Sequence, residues 1–271
     1  MKIAVTDFIN ARPLIQGFAE RGVHLMFDSP RGCAQALENG KVDFALIPSI
    51  EYVRMEGISI VPGISISSMG PVRSVLLFLK KEISRIQNVA VDQRSRTAAS
   101  LLKILAKEFF KINPAYSEFS PILEVQSLKD DAALVIGDHA LKEVASFKGS
   151  VIDLGEVWGQ WTGLPFTYAF WVGRERDTDS ETLSKFYEAK EMGIRFRSQI
   201  AREANIDGLE YPSILDYLTK NICYDWSSLH EKGLKLFYEL AFRCNLINSI
   251  PHLRFYEVEE FSFTSFRRKE N

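Results

Sequence analysis

The chain has 271 residues, 46% of them hydrophobic and 25% charged, with a formal net charge of −2. That length supports one large domain or two moderate ones, and the near-neutral charge argues against a nucleic-acid or polybasic membrane partner. Three cysteines, Cys33, Cys223 and Cys244, stand far apart with no CxxC, which argues against a disulfide scaffold or zinc site and for a reducing compartment. The N-terminus runs straight into a strand-like segment without a signal peptide, and no stretch is apolar enough to span a membrane. A cytoplasmic location is expected. The short basic tail FRRKEN reads as a chain end without a recognition role.

In chain order, KIAVTDF reads as a buried strand ended by INARP. PLIQGFAERG reads as a short helix closed by Gly22, and VHLMFDSP as a second strand. RGCAQALENGKV is a helix with Cys33, Ala36 and Leu37 on its apolar face, stopped at Asn39-Gly40. DFALIPSIEYVR begins as a buried strand and breaks at Pro48. The order β-α-β-α-β is the pattern of a parallel sheet covered by helices. After Gly70-Pro71, Val72 to Leu79 forms a dense apolar strand. NVAVDQRSRTAASLLKILAKEFF is strand, turn and helix, with Leu101, Leu102, Ile104, Leu105 and Phe109 at helical spacing. KDDAALVIGDHALKEVA repeats that arrangement, turning at Gly137-Asp138.

EVWGQWTGLPFTYAFW, residues 156–171, carries six aromatic residues and three of the four tryptophans. EVWGQW reads as a loop beside a cleft and TGLPFTYAFW as a strand. Beyond Gly173 the pattern is helical, with a capping signature at Ser180. The chain therefore reads as a two-lobed α/β protein. Residues 1–80 and 172–271 form one discontinuous lobe and 81–171 the other. Ser74–Leu79 and Phe166–Val172 are the two crossings, and the ligand cleft lies between the lobes.

Several segments stand where a parallel sheet presents its loops. Asn10 follows the first strand and either orients a ligand through its amide or serves a turn. Glu51 is either a pocket acid or a helix-start carboxylate. Ser68, Arg73 and Ser74 surround Gly70 and suit a carboxylate. Ser95, Arg96 and Thr97 stand where a helix begins, and free amides there make an anion site; capping alone is the competing role. Gly137 allows close backbone approach, and Asp138 is a pocket or capping residue. Trp158 and Phe166 are candidate walls for a flat ligand, or core. No GxGxxG follows the first strand, and no Walker loop, GxSxG or HExxH occurs. The four histidines, His24, His139, His230 and His252, are scattered, so no metal is expected. From residues alone, the chain is a two-lobed protein that closes on a small anion, and an enzyme and a binding protein remain equally open.

INARPL, DFALIPSIEY, SMGPVRSVLLF, VAVDQRSRTAASLLKIL, ALVIGDHAL and DLGEVWGQWTGLPFTYAFW occur in this order over residues 1 to 173. Together they resemble the chorismate dehydratase family of the futalosine route to menaquinone (vitamin K2). The resemblance implies a periplasmic-binding-protein-like fold of type II, no cofactor, and conversion of chorismate to 3-[(1-carboxyvinyl)oxy]benzoate and water, a hydro-lyase reaction. For that substrate the candidate clamps on its two carboxylates are Arg73 and Ser68, with the Ser95–Arg96–Thr97 helix end. Asn10 would orient the substrate. The base is either Glu51 or the substrate's own enolpyruvyl carboxylate. Two positions depart from the family pattern: Phe8-Ile9 replaces Tyr-Leu, and Ala98 replaces a hydroxyl that commonly follows the SRT. The competing readings are the dihydroxynaphthoate synthase of the same route, whose N-terminal motif differs, and a non-catalytic cytoplasmic binding protein for a small aromatic or dicarboxylic acid. The apolar C-terminal helices are compatible with a homodimer.

Overall fold

A computed structural model describes residues 1–174 and 179–257. The basic tail lies outside them. Two sheets, of seven and five strands among the described residues, carry the molecule. The first begins with β1 (Lys2–Val5), β2 (His24–Phe27) and β3 (Phe44–Pro48). All three are parallel, with β1 in the middle. Helix α1 (Pro30–Glu38) links β2 to β3. Its cap is Ser29, whose hydroxyl accepts from the Gly32 amide, and it buries Cys33, Ala36 and Leu37. Burial pushes the Cys33 thiol up to about 12, as for an inert core thiol. β4 (Ile58–Ile60) and β5 (Ile64–Ser68) complete the N-terminal share of this sheet.

The second sheet comprises β6 (Val75–Leu79), β7 (Asn88–Asp92), β8 (Ala115–Phe119), β9 (Ala132–Ile136) and β10 (Ser150–Asp153), in the order β10-β6-β9-β7-β8. Helix α2 (Thr97–Ile104) follows β7, and α3 (Gly137–Glu143) follows β9. Every residue of β6 and β9 is buried, as expected of continuous apolar runs covered on both faces.

Strand β11 (Phe166–Arg174) returns to the first sheet and pairs antiparallel with β3, β4 and β5. The strand assignments locate the two crossings more closely than residues 80 and 172. β6 already belongs to the second sheet and β11 to the first, so the chain passes over at 69–74 and returns at 154–165. The apolar strand at 75–79 marks the start of the second sheet because it is buried there between β9 and β10.

EVWGQW is a helix, not a loop. It belongs to α4 (Leu154–Thr162), capped by the Asp153 carboxylate, which accepts from the Gly155 and Glu156 amides at 2.9 and 3.1 Å. The helix closes at Gly163, whose φ of 69° suits a residue without a side chain. Leu154 and Trp158 form its buried face. Helix α5 (Ser180–Arg195) is capped by Asp179, one residue before the expected Ser180; its carboxylate accepts from the Thr182 amide. α6 (Arg197–Glu203), α7 (Tyr211–Asp216), a short β12 (Cys223–Asp225) on β5, and α8 (Ser228–Arg243) follow. Instead of the expected helix after Pro13, the chain forms a 3₁₀ segment over Ile9–Leu14 and another over Ala19–Arg21, closed at Gly22. Gly17, with φ of 72°, takes a left-handed backbone that ends the first segment.

Trp171, Phe18, Phe44 and Phe186 pack edge-on or tilted in the first core. α5 reaches this core because Gly193 lies directly against the Pro13 carbonyl. An added Cβ would overlap that carbonyl, and the 3₁₀ segment carrying Asn10 would have to move. Gly193→Ala should therefore destabilise the fold by about 1–3 kcal/mol, read as a lower denaturant midpoint at unchanged m-value. An unchanged midpoint would contradict this packing.

Candidate functional site

A half-open cleft of about 640 Å³, its open mouth included, lies between the sheets. It sits at the carboxyl ends of parallel strands. Thr6, Phe8 and Asn10 follow β1, Pro48 ends β3, Arg94 and Ser95 follow β7, and Ile136 and Gly137 join β9 to α3. Such ends bring loop amides and helix starts together.

Of the candidates, Asn10, Ser74, Ser95, Arg96, Thr97 and Gly137 line this cleft. Ser95 is 6% exposed, and its hydroxyl is buried without a protein partner among the described residues. It adjoins the first turn of α2, whose amides lack intrahelical acceptors. A buried hydroxyl without a bond is costly, and an anionic ligand would satisfy it. Thr97 is used differently. Its Oγ1 accepts from the Ile50 amide at 3.2 Å and stands 3.4 Å from the Ser49 hydroxyl, fastening α2 to the loop after β3. Gly137 has φ of 66°, and a Cβ there would press on the Phe8 ring at 2.8 Å.

Asn10 Nδ2 donates to the Tyr217 hydroxyl at 3.0 Å, and Tyr217 donates to Ser74 Oγ at 2.8 Å. Among the described residues no protein group donates to the Asn10 amide oxygen.

The other candidates stand outside the lining. Glu51 is 8% exposed; its carboxylate accepts from Arg96 Nε at 2.6 Å and has Arg54 at 3.8 Å. That pairing orients Arg96 and leaves Glu51 badly placed as a base. Arg73 turns away from the cleft, donating to the carbonyl and hydroxyl oxygens of Ser213. Its amide donates to Asp153 at 2.6 Å, and its φ of 61° is held by that bond. Ser68 Oγ donates to the Gly70 carbonyl and lies 3.0 Å from the Tyr168 hydroxyl. Trp158 and Phe166 are core residues, 0% and 1% exposed, and pack on each other at 5.2 Å and on Phe237. The apolar walls are instead supplied by residues such as Leu46, Ile66, Val72, Val75 and Ile136.

Arg94 and Tyr168 were not singled out in the sequence, and Phe8 only as a departure from the family pattern, yet all three line the cleft. The Arg94 guanidinium donates from Nε and Nη2 to the fully buried Asp92 carboxylate, at 3.0 and 2.6 Å, and lies 5.4 Å over the Phe8 ring. The DQR triplet offers a signal only in retrospect, because Asp-x-Arg pairs also form on open surfaces. Among the described residues no cluster of three or more His, Cys, Asp or Glu is arranged to hold a metal ion, and no helix is long and apolar enough to cross a membrane.

A family model described as menaquinone biosynthesis matches residues 1–243. The chain belongs to that family. A curated chorismate dehydratase of Thermus thermophilus is 29% identical over 256 residues, 88% of this chain and 93% of that one. Another, from Campylobacter jejuni, is 26% identical over 208 residues, covering 76% and 78%. These relatives are enzymes. A solved structure from Archaeoglobus fulgidus has a TM-score of 0.72 at 20% identity, covering 91% of this chain and 98% of that one. The periplasmic aliphatic sulphonate binding protein of Escherichia coli has a TM-score of 0.65 at 15% identity, covering 100% and 97%. This family member therefore has the periplasmic-binding-protein-like fold.

Asp138 links the sheets. Its carboxylate, at the start of α3, accepts from the Ile9 amide at 3.1 and 3.2 Å. Burial raises its pKa to about 6, aided by Asp7 and opposed by the Ile9 bond, Arg12 and Arg94. In the unfolded chain the group ionises near 3.9. Its contribution is thus most favourable below that value and is lost as pH rises to about 6. Asp138→Asn, which stays neutral, should gain on the wild type by about 3 kcal/mol between pH 3.5 and 7. Chemical unfolding of both proteins across that range checks this; a pH-independent difference would contradict the buried-acid assignment.

Proposed function

We propose that this protein is a chorismate dehydratase, a hydro-lyase that forms 3-[(1-carboxyvinyl)oxy]benzoate and water without an added cofactor, in the cytoplasm. The observation that carries the reading is the buried, unpartnered hydroxyl of Ser95 beside the start of α2, in a residue that lines the same cleft as Asn10. The curated relatives bearing that name, and the ordered motifs across residues 1 to 173, support the same reading.

The chemistry suits a site with few acid–base groups. Chorismate has two carboxylates, an allylic hydroxyl and a ring hydrogen beside the ether oxygen. Removing that proton places its electron pair in a dienolate conjugated with the ring carboxylate. Departure of the hydroxyl, with a proton, completes water and leaves the ring aromatic. The driving force belongs to the substrate. The protein must hold both carboxylates, stabilise the developing negative charge and exclude water.

One carboxylate is assigned to Ser95 and the first amides of α2, beside the Arg96 guanidinium that Glu51 orients. Arg94, with its charge partly balanced by Asp92, supplies the second cation of the cleft. Asn10 meets the reacting part of the ring with an amide oxygen and its remaining N–H. Ala98 contributes no hydroxyl, so Ser95 carries the hydroxyl contact at this helix end. With Glu51 paired to Arg96, the enolpyruvyl carboxylate of the substrate is the better-placed base.

The test is incubation of the purified protein with chorismate, followed by chromatography and mass measurement. A product lighter by one water, absent without protein, is expected; unchanged chorismate would refute the reading. Asn10→Ala should lower kcat by about 100-fold or more, the scale of a lost transition-state contact. Glu51→Gln should stay within about tenfold of wild-type kcat, whereas loss of a general base costs about 100-fold or more. A larger loss would return Glu51 to the role of base.

A further inference from the structure

We propose that Tyr217 is the positioning residue of this site: its hydroxyl fixes which way the Asn10 amide faces, so that the C-terminal helical part takes part in the reaction. This rests on the dehydratase reading above.

Tyr217 follows α7 directly and is 0% exposed. It lies 207 positions from Asn10 and 143 from Ser74, yet it hydrogen-bonds to both. A phenol has one proton to give, and Tyr217 gives it to Ser74 Oγ. Its oxygen can then only accept from Asn10. An asparagine amide has two nearly isosteric orientations. With the amide reversed, the Asn10 oxygen would meet the phenol oxygen with no proton between them. One orientation is therefore selected, with Nδ2 against Tyr217. The amide oxygen and the second Nδ2 proton remain for a ligand. Burial raises the Tyr217 pKa, so at neutral pH the phenol keeps the proton that it donates to Ser74. Ser74, having accepted from Tyr217, keeps its own proton for another partner, and its residue lines the same cleft.

A tyrosine that only fills core would make a different prediction. Its ring supplies the packing, and Tyr217→Phe keeps the ring. The hydroxyl alone separates the two roles. Removing it leaves Asn10 free to turn its amide, so the expected effect falls on turnover more than on substrate binding.

The experiment is a double-mutant cycle on the whole protein with chorismate as substrate, with thermal melts of every variant. Tyr217→Phe is expected to lower kcat at least tenfold, to leave KM within about threefold, and to have no further effect in the Asn10→Ala background. Wild-type kcat in Tyr217→Phe, or a loss that multiplies independently with that of Asn10→Ala, would overturn the proposal. If Tyr217→Phe does not fold, Ser74→Ala gives the same decision from the other end of the chain. Without its acceptor, the Tyr217 proton can turn toward Asn10. A fall in kcat of about threefold or more that disappears in the Asn10→Ala background supports the proposal, and an independent loss overturns it. Wild-type protein that makes no product would refute the dehydratase reading and this role with it. Turnover by the wild type with an unaffected Tyr217→Phe would refute this role alone.

Discussion

One half-buried carboxylate fastens both crossings between the sheets. Asp153, the last residue of β10, accepts from the Arg73 amide on the outgoing crossing and from the Gly155 and Glu156 amides on the returning one. Arg73 has a left-handed backbone, a conformation that costs a side-chain-bearing residue about 1–3 kcal/mol unless its surroundings hold it. The bond from its amide provides that hold. Val72, Ser74 and Val75, beside it, line the cleft. The same carboxylate starts α4, and Gly155 and Gly159 let that helix approach the Gly70 turn and Tyr168 closely. Burial raises the Asp153 pKa even against these backbone donors.

With the crossings fixed, the hydroxyls near the cleft separate into two groups by their partners. Thr97 is committed to the Ile50 amide, Ser68 to Gly70, and Ser49 to the Thr167 carbonyl. These bonds assemble the frame. Among the described residues, Ser95 is left without a protein partner, and the Ser74 hydroxyl accepts from Tyr217. The cations divide in the same way. Arg73 is turned to Ser213, whereas Arg94 and Arg96 line the cleft with a buried carboxylate partner each. A cleft whose charges are already half balanced can take up a dianion without leaving bare guanidinium groups when it is empty.

The architecture was legible where burial pattern decides it. The parallel start, the strands at Val75–Leu79 and Phe166–Arg174, and the helix after SRT all follow from apolar spacing. The helix over EVWGQW was not. Gly159 and Gly163 interrupt the aromatic run, but Gly159, with Gly155 before it, packs against the Gly70 turn, and Gly163 closes the helix. At the site, local signals identified segments but not which way their side chains face. SRT at a helix start was readable, while the division of labour between Ser95 and Thr97 depends on Ile50, 47 residues away from Thr97. Glu51 was an attractive base until Arg96 was found against it. The tryptophan-rich stretch was read partly as a cleft wall, yet Trp158 and Trp171 are fully buried core. Tyr217 offered no signal, since its role exists only through partners far away in the chain.

The central claim is that the cleft between the sheets holds a planar dicarboxylate with one carboxylate at Ser95 and the start of α2. A crystal structure with 3-[(1-carboxyvinyl)oxy]benzoate bound tests it most directly. The account predicts a carboxylate oxygen within hydrogen-bond distance of Ser95 Oγ and the first amides of α2, with the ring between Asn10 and the apolar wall. A ligand bound elsewhere, or one in the cleft whose carboxylates leave Ser95 without a partner, would contradict it.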